Sequence, residues 1–145
     1  MHTDRTQLFG HILTAGFAAA YITFAVLSLL ETPLLLLKLL VFSAIPFLLV
    51  TLMRRLFSAK RPYQDGTTPP PRRGTNDSFP SRHAYSAFFV ATIAFHFSAL
   101  TSYILLPLAI LLSVMRVIAG YHYPRDVVAG AFLGVIAGIL TLLFL

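Results

Sequence analysis

Residues 79–86 read FPSRHAYS and residues 115–126 read MRVIAGYHYPRD. The first opens a long apolar run; the second closes one such run and opens another. Ser81, Arg82 and His83, with Arg116, His122 and Asp126, therefore stand at the mouths of apolar helices. Ionisable groups at the mouth of a membrane helix are expensive and usually functional. Two histidines, an aspartate and several arginines gathered there point to a site that handles an anion.

Composition sets the class. The chain has 145 residues, 57% hydrophobic and 11% charged, and a mean hydropathy of +0.80. Soluble domains carry about 25% charged residues. The expectation is an all-α, polytopic membrane helical bundle, with residues 1–145 as a single membrane-embedded domain. The absence of cysteine excludes disulfides and thiolate chemistry. The formal net charge of +6 suggests nucleic acid or anionic lipid as a partner. In a chain this apolar, membrane lipid is expected and nucleic acid is not. The start lacks a short apolar core followed by a small-residue cleavage site, so the first apolar run is expected to remain as an anchor.

A span needs roughly 17–25 mostly apolar residues. Five are expected, over about 8–30, 34–53, 83–100, 103–118 and 125–145. Glu31-Thr32-Pro33 marks a tight turn. Pro46 should kink the second span, Ser81 should cap the third, and Thr101-Ser102 should turn the chain. Gly120 reads as a helix stop and Pro124 as the start of the fifth span. Gly130, Gly134 and Gly138 fall on one face, the pattern of close helix packing. His11 and His96 read as packing or interfacial residues, and Tyr121 and Tyr123 as an aromatic belt. Between spans two and three lies the only long polar stretch, about 57–82, in which the prolines at 69–71 favour an extended segment.

Five alternating spans place the end of the second, the start of the third, the end of the fourth and the start of the fifth on one membrane face. Those places hold Arg54 and Arg61, Ser81 and His83, Arg116, and His122 and Asp126. Phosphoryl transfer needs cations around the equatorial oxygens, a nucleophile in line with the leaving group, and a proton donor for that group. Arginine suits the first need, because its planar fork matches phosphate oxygens and keeps its charge. Helix starts after Ser81 and Pro124 add free amides. Histidine suits the other two needs. His122 lies four residues before Asp126, whose carboxylate can hold one ring nitrogen and leave the other free to attack. His83 suits the general acid. Ser81 stands as an alternative nucleophile, though nothing marks an oxyanion hole beside it.

The pattern resembles the type 2 phosphatidic acid phosphatase family, whose motifs are Lys-x6-Arg-Pro, Pro-Ser-Gly-His and Ser-Arg-x5-His-x3-Asp. Here they stand as Arg54-x6-Arg61-Pro62, Pro80-Ser81-Arg82-His83 and Met115-Arg116-x5-His122-x3-Asp126. Arg54 replaces lysine, with Lys60 as a competitor for its role; Arg82 replaces glycine, and Met115 replaces serine. The resemblance implies hydrolysis of a lipid phosphate or diphosphate, without cofactor or metal, through a phosphohistidine on His122. Asp126 would orient that ring, and His83 would protonate the leaving group and then activate water. Arg54, Arg61, Ser81, the Arg82 amide and Arg116 would hold the phosphate.

The family commonly has six spans; five fit here, and a homodimer would compensate for the lost packing surface. Undecaprenyl diphosphate is the preferred substrate, because Arg82, Lys60 or Arg72 and Arg73 could meet a second phosphate. Phosphatidylglycerol phosphate and phosphatidic acid are the alternatives. A non-catalytic anionic-lipid binder or transporter is the competing class, and it would have no use for the His122–Asp126 pair. The resemblance places the site on the extracytoplasmic face of the cell membrane. The positive-inside rule points the other way, because every Lys and Arg except Lys38 falls on the site face.

Overall fold

The protein is described by a computed structural model covering residues 2–62 and 77–145. The prolines at 69–71, Asp65 and the cations Arg72 and Arg73 lie outside the described residues. Five helices form among the described residues: α1 His2–Glu31, α2 Pro33–Phe57, α3 Arg82–Phe97, α4 Ala99–Ile118 and α5 Pro124–Leu142. Four of them, α1, α2, α4 and α5, are long and apolar enough to cross a membrane. The chain is a multi-pass membrane protein. α3 is the exception in length: its 16 residues span about 24 Å, less than the roughly 30 Å of a bilayer core. It is instead the interior helix, buried along most of its length from Ala84 to Ala94, with α5 and α4 as its main neighbours.

Helix ends follow local chemistry. Thr32 caps α2 by accepting from the Leu35 amide at 3.1 Å, and Pro33 follows at the first helical position. Ser81 caps α3 in the same way, through the Ala84 amide at 3.4 Å. The turn expected at Thr101-Ser102 lies earlier. Ser98 ends α3 and caps α4 by accepting from the Thr101 amide at 3.3 Å, which draws Thr101 and Ser102 into the helix. The Ser102 hydroxyl, freed from the turn and fully buried, donates to the Ala91 carbonyl of α3 at 2.5 Å. Pro46 lies inside α2. Gly120 takes φ 72° after α4, a left-handed conformation that a side chain would strain.

The contact between α3 and α5 sets the frame. A Cβ on Gly130 would strike the Ser81 carbonyl oxygen, and one on Gly134 the Tyr85 carbonyl oxygen. One on Gly138 would come within 2.6 Å of Thr92 Cβ. The glycine stripe thus lets two helix backbones approach where lipid supplies no hydrophobic drive for association.

Overpacking of this kind costs about 1–3 kcal/mol. Gly134→Ala should therefore lower the thermal stability of the protein in detergent. Gly16→Ala, with nothing within 4 Å of its new methyl, should leave stability unchanged or slightly raised. Equal melting temperatures for the two variants would contradict the close α3–α5 packing.

Candidate active site

Asp126 occupies the third position of α5 and is fully buried. Its carboxylate reaches back to the start of its own helix, where Oδ2 accepts from the Tyr123 amide at 3.0 Å. This half of a capping box explains the spacing of the third motif: an acid there serves the helix and lies one turn from His122. The same oxygen accepts a short hydrogen bond from the Ser78 hydroxyl. His122 Nδ1 lies 3.5 Å from Ser78 Oγ and 3.7 Å from Asp126 Oδ2. The Asp126 backbone carbonyl accepts from the Ser81 amide at 2.9 Å, which ties the start of α3 to the start of α5.

Four arginines gather in front of this junction. Arg54, 4% exposed, donates from Nη1 to the Pro80 carbonyl at 2.9 Å and to that of Ser78 at 3.5 Å. Arg61 donates to the carbonyls of Tyr121 at 3.5 Å and Asp77 at 3.3 Å. Arg116 donates from Nη2 to Thr14 Oγ1 at 2.9 Å, and its guanidinium lies 5.5 Å from the centre of the Tyr121 ring. Arg116 Nε is buried with no hydrogen-bond partner among the described residues. With Arg82, His83 and His122, these arginines line a cavity of about 160 Å³.

Of the residues expected at the site, the structure brings Arg54, Arg61, Arg82, His83, Arg116 and His122 to one cavity. Ser81 and Asp126 sit behind it, fully buried. Between the two cations weighed for the first motif, Arg54 lines the cavity, and Lys60 is exposed and away from it. Three residues escaped the sequence reading. His11, expected to pack or lie at the interface, lines the cavity from α1, and Tyr121, expected in an aromatic belt, lines it too. Span parity alone puts the N-terminal end of α1 on this face, and that was the available signal for His11. Ser78 carried no signal, being one serine in a polar stretch.

The electrostatics are lopsided. Arg54 and Arg116 donate to carbonyls and a hydroxyl, and Asp126 is already engaged by Ser78 and the Tyr123 amide. Arg54 and Arg116 are buried; buried cations are costly, and an arriving anion relieves that cost. The start of α3 contributes as well, because first-turn amides have no intrahelical partner. Burial holds His122 below its ordinary pKa. Asp126 opposes that shift, and the Arg61 and Arg54 charges reinforce it. The ring is therefore neutral near pH 7, as a nucleophile or base requires.

Residues 15–145 match the family model described as the PAP2 superfamily. A segment of 64 residues is 39% identical to the bacitracin transport permease protein BcrC of Bacillus licheniformis. It covers 44% of this chain and 32% of that protein, so the match spans about a third of that relative's length. The fold is similar to the crystal structure of a transmembrane PAP2 type phosphatidylglycerolphosphate phosphatase from Bacillus subtilis. The TM-score is 0.76 at 22% identity, over 98% of this chain and 75% of that one.

Two outcomes follow from the geometry. Inorganic phosphate at about a hundred times its Kd should stabilise the detergent-solubilised protein by about 2.7 kcal/mol. Arg116→Ala should shrink that thermal shift, and Arg55→Ala, at an exposed position outside the cavity, should keep it. An equal shift in both variants would place phosphate elsewhere. The second outcome concerns His122. Its folded pKa is lowered, so between that value and about 6.5 the unfolded chain binds the proton and the folded chain does not. Stability contributed by the neutral ring is then present above about pH 6.5 and falls as pH drops through that window. Histidine NMR should show His122 titrating below 6.5; titration at or above 6.5 would contradict the burial effect.

Proposed function

The chain belongs to the PAP2 superfamily, and on that premise we propose that it hydrolyses a lipid phosphate or diphosphate through a phosphohistidine. One observation carries the reading: the arginine-lined cavity and a larger apolar one meet at Arg82 and His83. The apolar cavity, of about 520 Å³, runs between α1, α2, α3 and α4 past Phe17, Phe47, Phe89 and Leu112, and the same two residues line both. A headgroup phosphate suits the first and a hydrocarbon tail the second. The scissile bond of such an amphiphile would then fall beside His83.

In the proposed reaction His83 takes up a proton once the phosphate's negative charge is bound beside it; His122 Nε2 then attacks phosphorus and the bond to the lipid oxygen breaks, with His83 giving that oxygen its proton. His83 next takes a proton from water, whose oxygen attacks phosphorus. The P–N bond breaks and inorganic phosphate leaves. Arg54, Arg61, Arg82 and Arg116 spread the charge of both transition states. Asp126 holds the ring, and Ser81 acts by starting α3, so that its amides face the phosphate.

Undecaprenyl diphosphate is the preferred substrate, because four arginines in one cradle exceed the need of a single phosphate and Arg82 stands where its motif has glycine. The structural likeness to a protein named a phosphatidylglycerolphosphate phosphatase favours that lipid as a second reading. The site is proposed to open on the extracytoplasmic face of the cell membrane.

The test is phosphate release by purified protein in EDTA, from polyprenyl diphosphate, phosphatidylglycerol phosphate and phosphatidic acid. His122→Ala should lower kcat by more than about a thousandfold, and His83→Ala by about a hundred- to ten-thousandfold. Turnover that survives His122→Ala would refute the phosphohistidine, and release that is fastest from phosphatidic acid would refute the diphosphate preference.

A further inference from the structure

We infer that Ser78 is a positioning residue for His122, its hydroxyl standing between the Asp126 carboxylate and the imidazole. The inference rests on the reading of His122 as nucleophile. The direct His122 Nδ1–Asp126 Oδ2 separation is 3.7 Å, beyond hydrogen-bond range. Ser78 Oγ lies at 3.5 Å from Nδ1, the long end of that range, and donates a short bond to Asp126 Oδ2. A hydroxyl has one proton to give. With that proton on Asp126, Ser78 can only accept from His122, so Nδ1 carries the ring proton and Nε2 is left bare. The path is Nδ1–H to Oγ, then O–H to Oδ2.

Ser78 is anchored as a positioning group must be. It is fully buried. Its amide donates to the Ala59 carbonyl at 2.9 Å, and its carbonyl accepts from Arg54 at 3.5 Å. One residue thereby joins the segment after α2, the phosphate-facing arginine of α2 and the His–Asp pair at the start of α5. Asp126 Oδ2 also holds the Tyr123 amide, so the carboxylate cannot turn toward His122 without giving up its helix cap. The hydroxyl fills the gap that this cap leaves.

The experiment compares wild type, Ser78→Ala, Ser78→Thr and His122→Ala in two ways. The first is steady-state phosphate release in detergent from polyprenyl diphosphate, phosphatidylglycerol phosphate and phosphatidic acid, with the variants compared on the one that wild type turns over fastest. Ser78→Ala should lower kcat by about ten- to hundredfold with KM changed less than about threefold, and Ser78→Thr, which keeps the hydroxyl, should recover most of the loss. The second needs no turnover: nitrogen-15 NMR of the histidine rings. Wild type should show His122 protonated at Nδ1, and Ser78→Ala should show a mixture of tautomers while keeping the thermal shift caused by inorganic phosphate. A wild-type tautomer protonated at Nε2, or an unchanged tautomer in Ser78→Ala, would overturn the role of Ser78 whatever the enzyme hydrolyses. A wild type that keeps the Nδ1–H tautomer but hydrolyses nothing would instead overturn the phosphatase reading alone. A loss in Ser78→Ala confined to KM would assign Ser78 to the phosphate cradle and overturn the positioning role.

Discussion

The structure depends on one buried carboxylate. Asp126 is fully enclosed at the first turn of α5 and satisfies three demands at once. Its side chain caps its own helix through the Tyr123 amide and accepts the Ser78 hydroxyl, and its backbone carbonyl holds the Ser81 amide at the start of α3. Both side-chain hydrogen bonds fall on Oδ2, while Oδ1 accepts none among the described residues and has the Arg125 Nε at 3.6 Å; a buried charge needs such partners. The backbone contact with Ser81 brings two helix starts together, and the glycine stripe of α5 then lets the helices stay close from Gly130 to Gly138. Helix packing and the candidate site are therefore consequences of the same contact.

The opposite imbalance lies in front of it. Arg54 and Arg116 are held by carbonyl oxygens and a threonine hydroxyl. These partners fix the guanidinium planes without cancelling their charge, so the cradle keeps its attraction for an anion. A cradle paired with carboxylates would be easier to fold and poorer at binding phosphate. This is the usual trade at a functional site, where local stability yields to preorganisation.

Much of this was legible in the residues. Hydropathy located all five helices, the turn at Glu31-Thr32-Pro33, the cap at Ser81 and the proline at 124 marked their starts, and span parity brought six of the expected residues to one cavity. The errors have physical causes. The turn was placed at Thr101-Ser102 because both are polar, but Ser98 completes the cap and Ser102 finds a carbonyl on α3 instead. Lys60 competed with Arg54 because sequence shows charge and not direction. Ser78 was invisible because its role comes from a contact with residues 44 and 48 positions away, a separation no local pattern encodes. His11 was set aside as a lone histidine on an apolar helix. It lies outside the family-matched residues; span parity puts its end of α1 on the site face, and the packing of α1 onto Arg116 through Thr14 brings it to the cavity.

The position of His83 joins the two halves of the molecule. It belongs to the lining of both the arginine cradle and the apolar cavity, because it sits at the second residue of the one interior helix. α3 is too short to match a full bilayer core, so its start is set by the helices around it and not by the interface. A helix held in that way can present one side chain where polar and apolar space meet. In the proposed reaction, a proton donor is needed just there: the bond that breaks joins a phosphate that must stay among cations to an oxygen that must leave with a hydrocarbon. The burial of α3, the glycine stripe that permits it and the Asp126 contact that registers it are thus what place a general acid at the boundary between headgroup and tail.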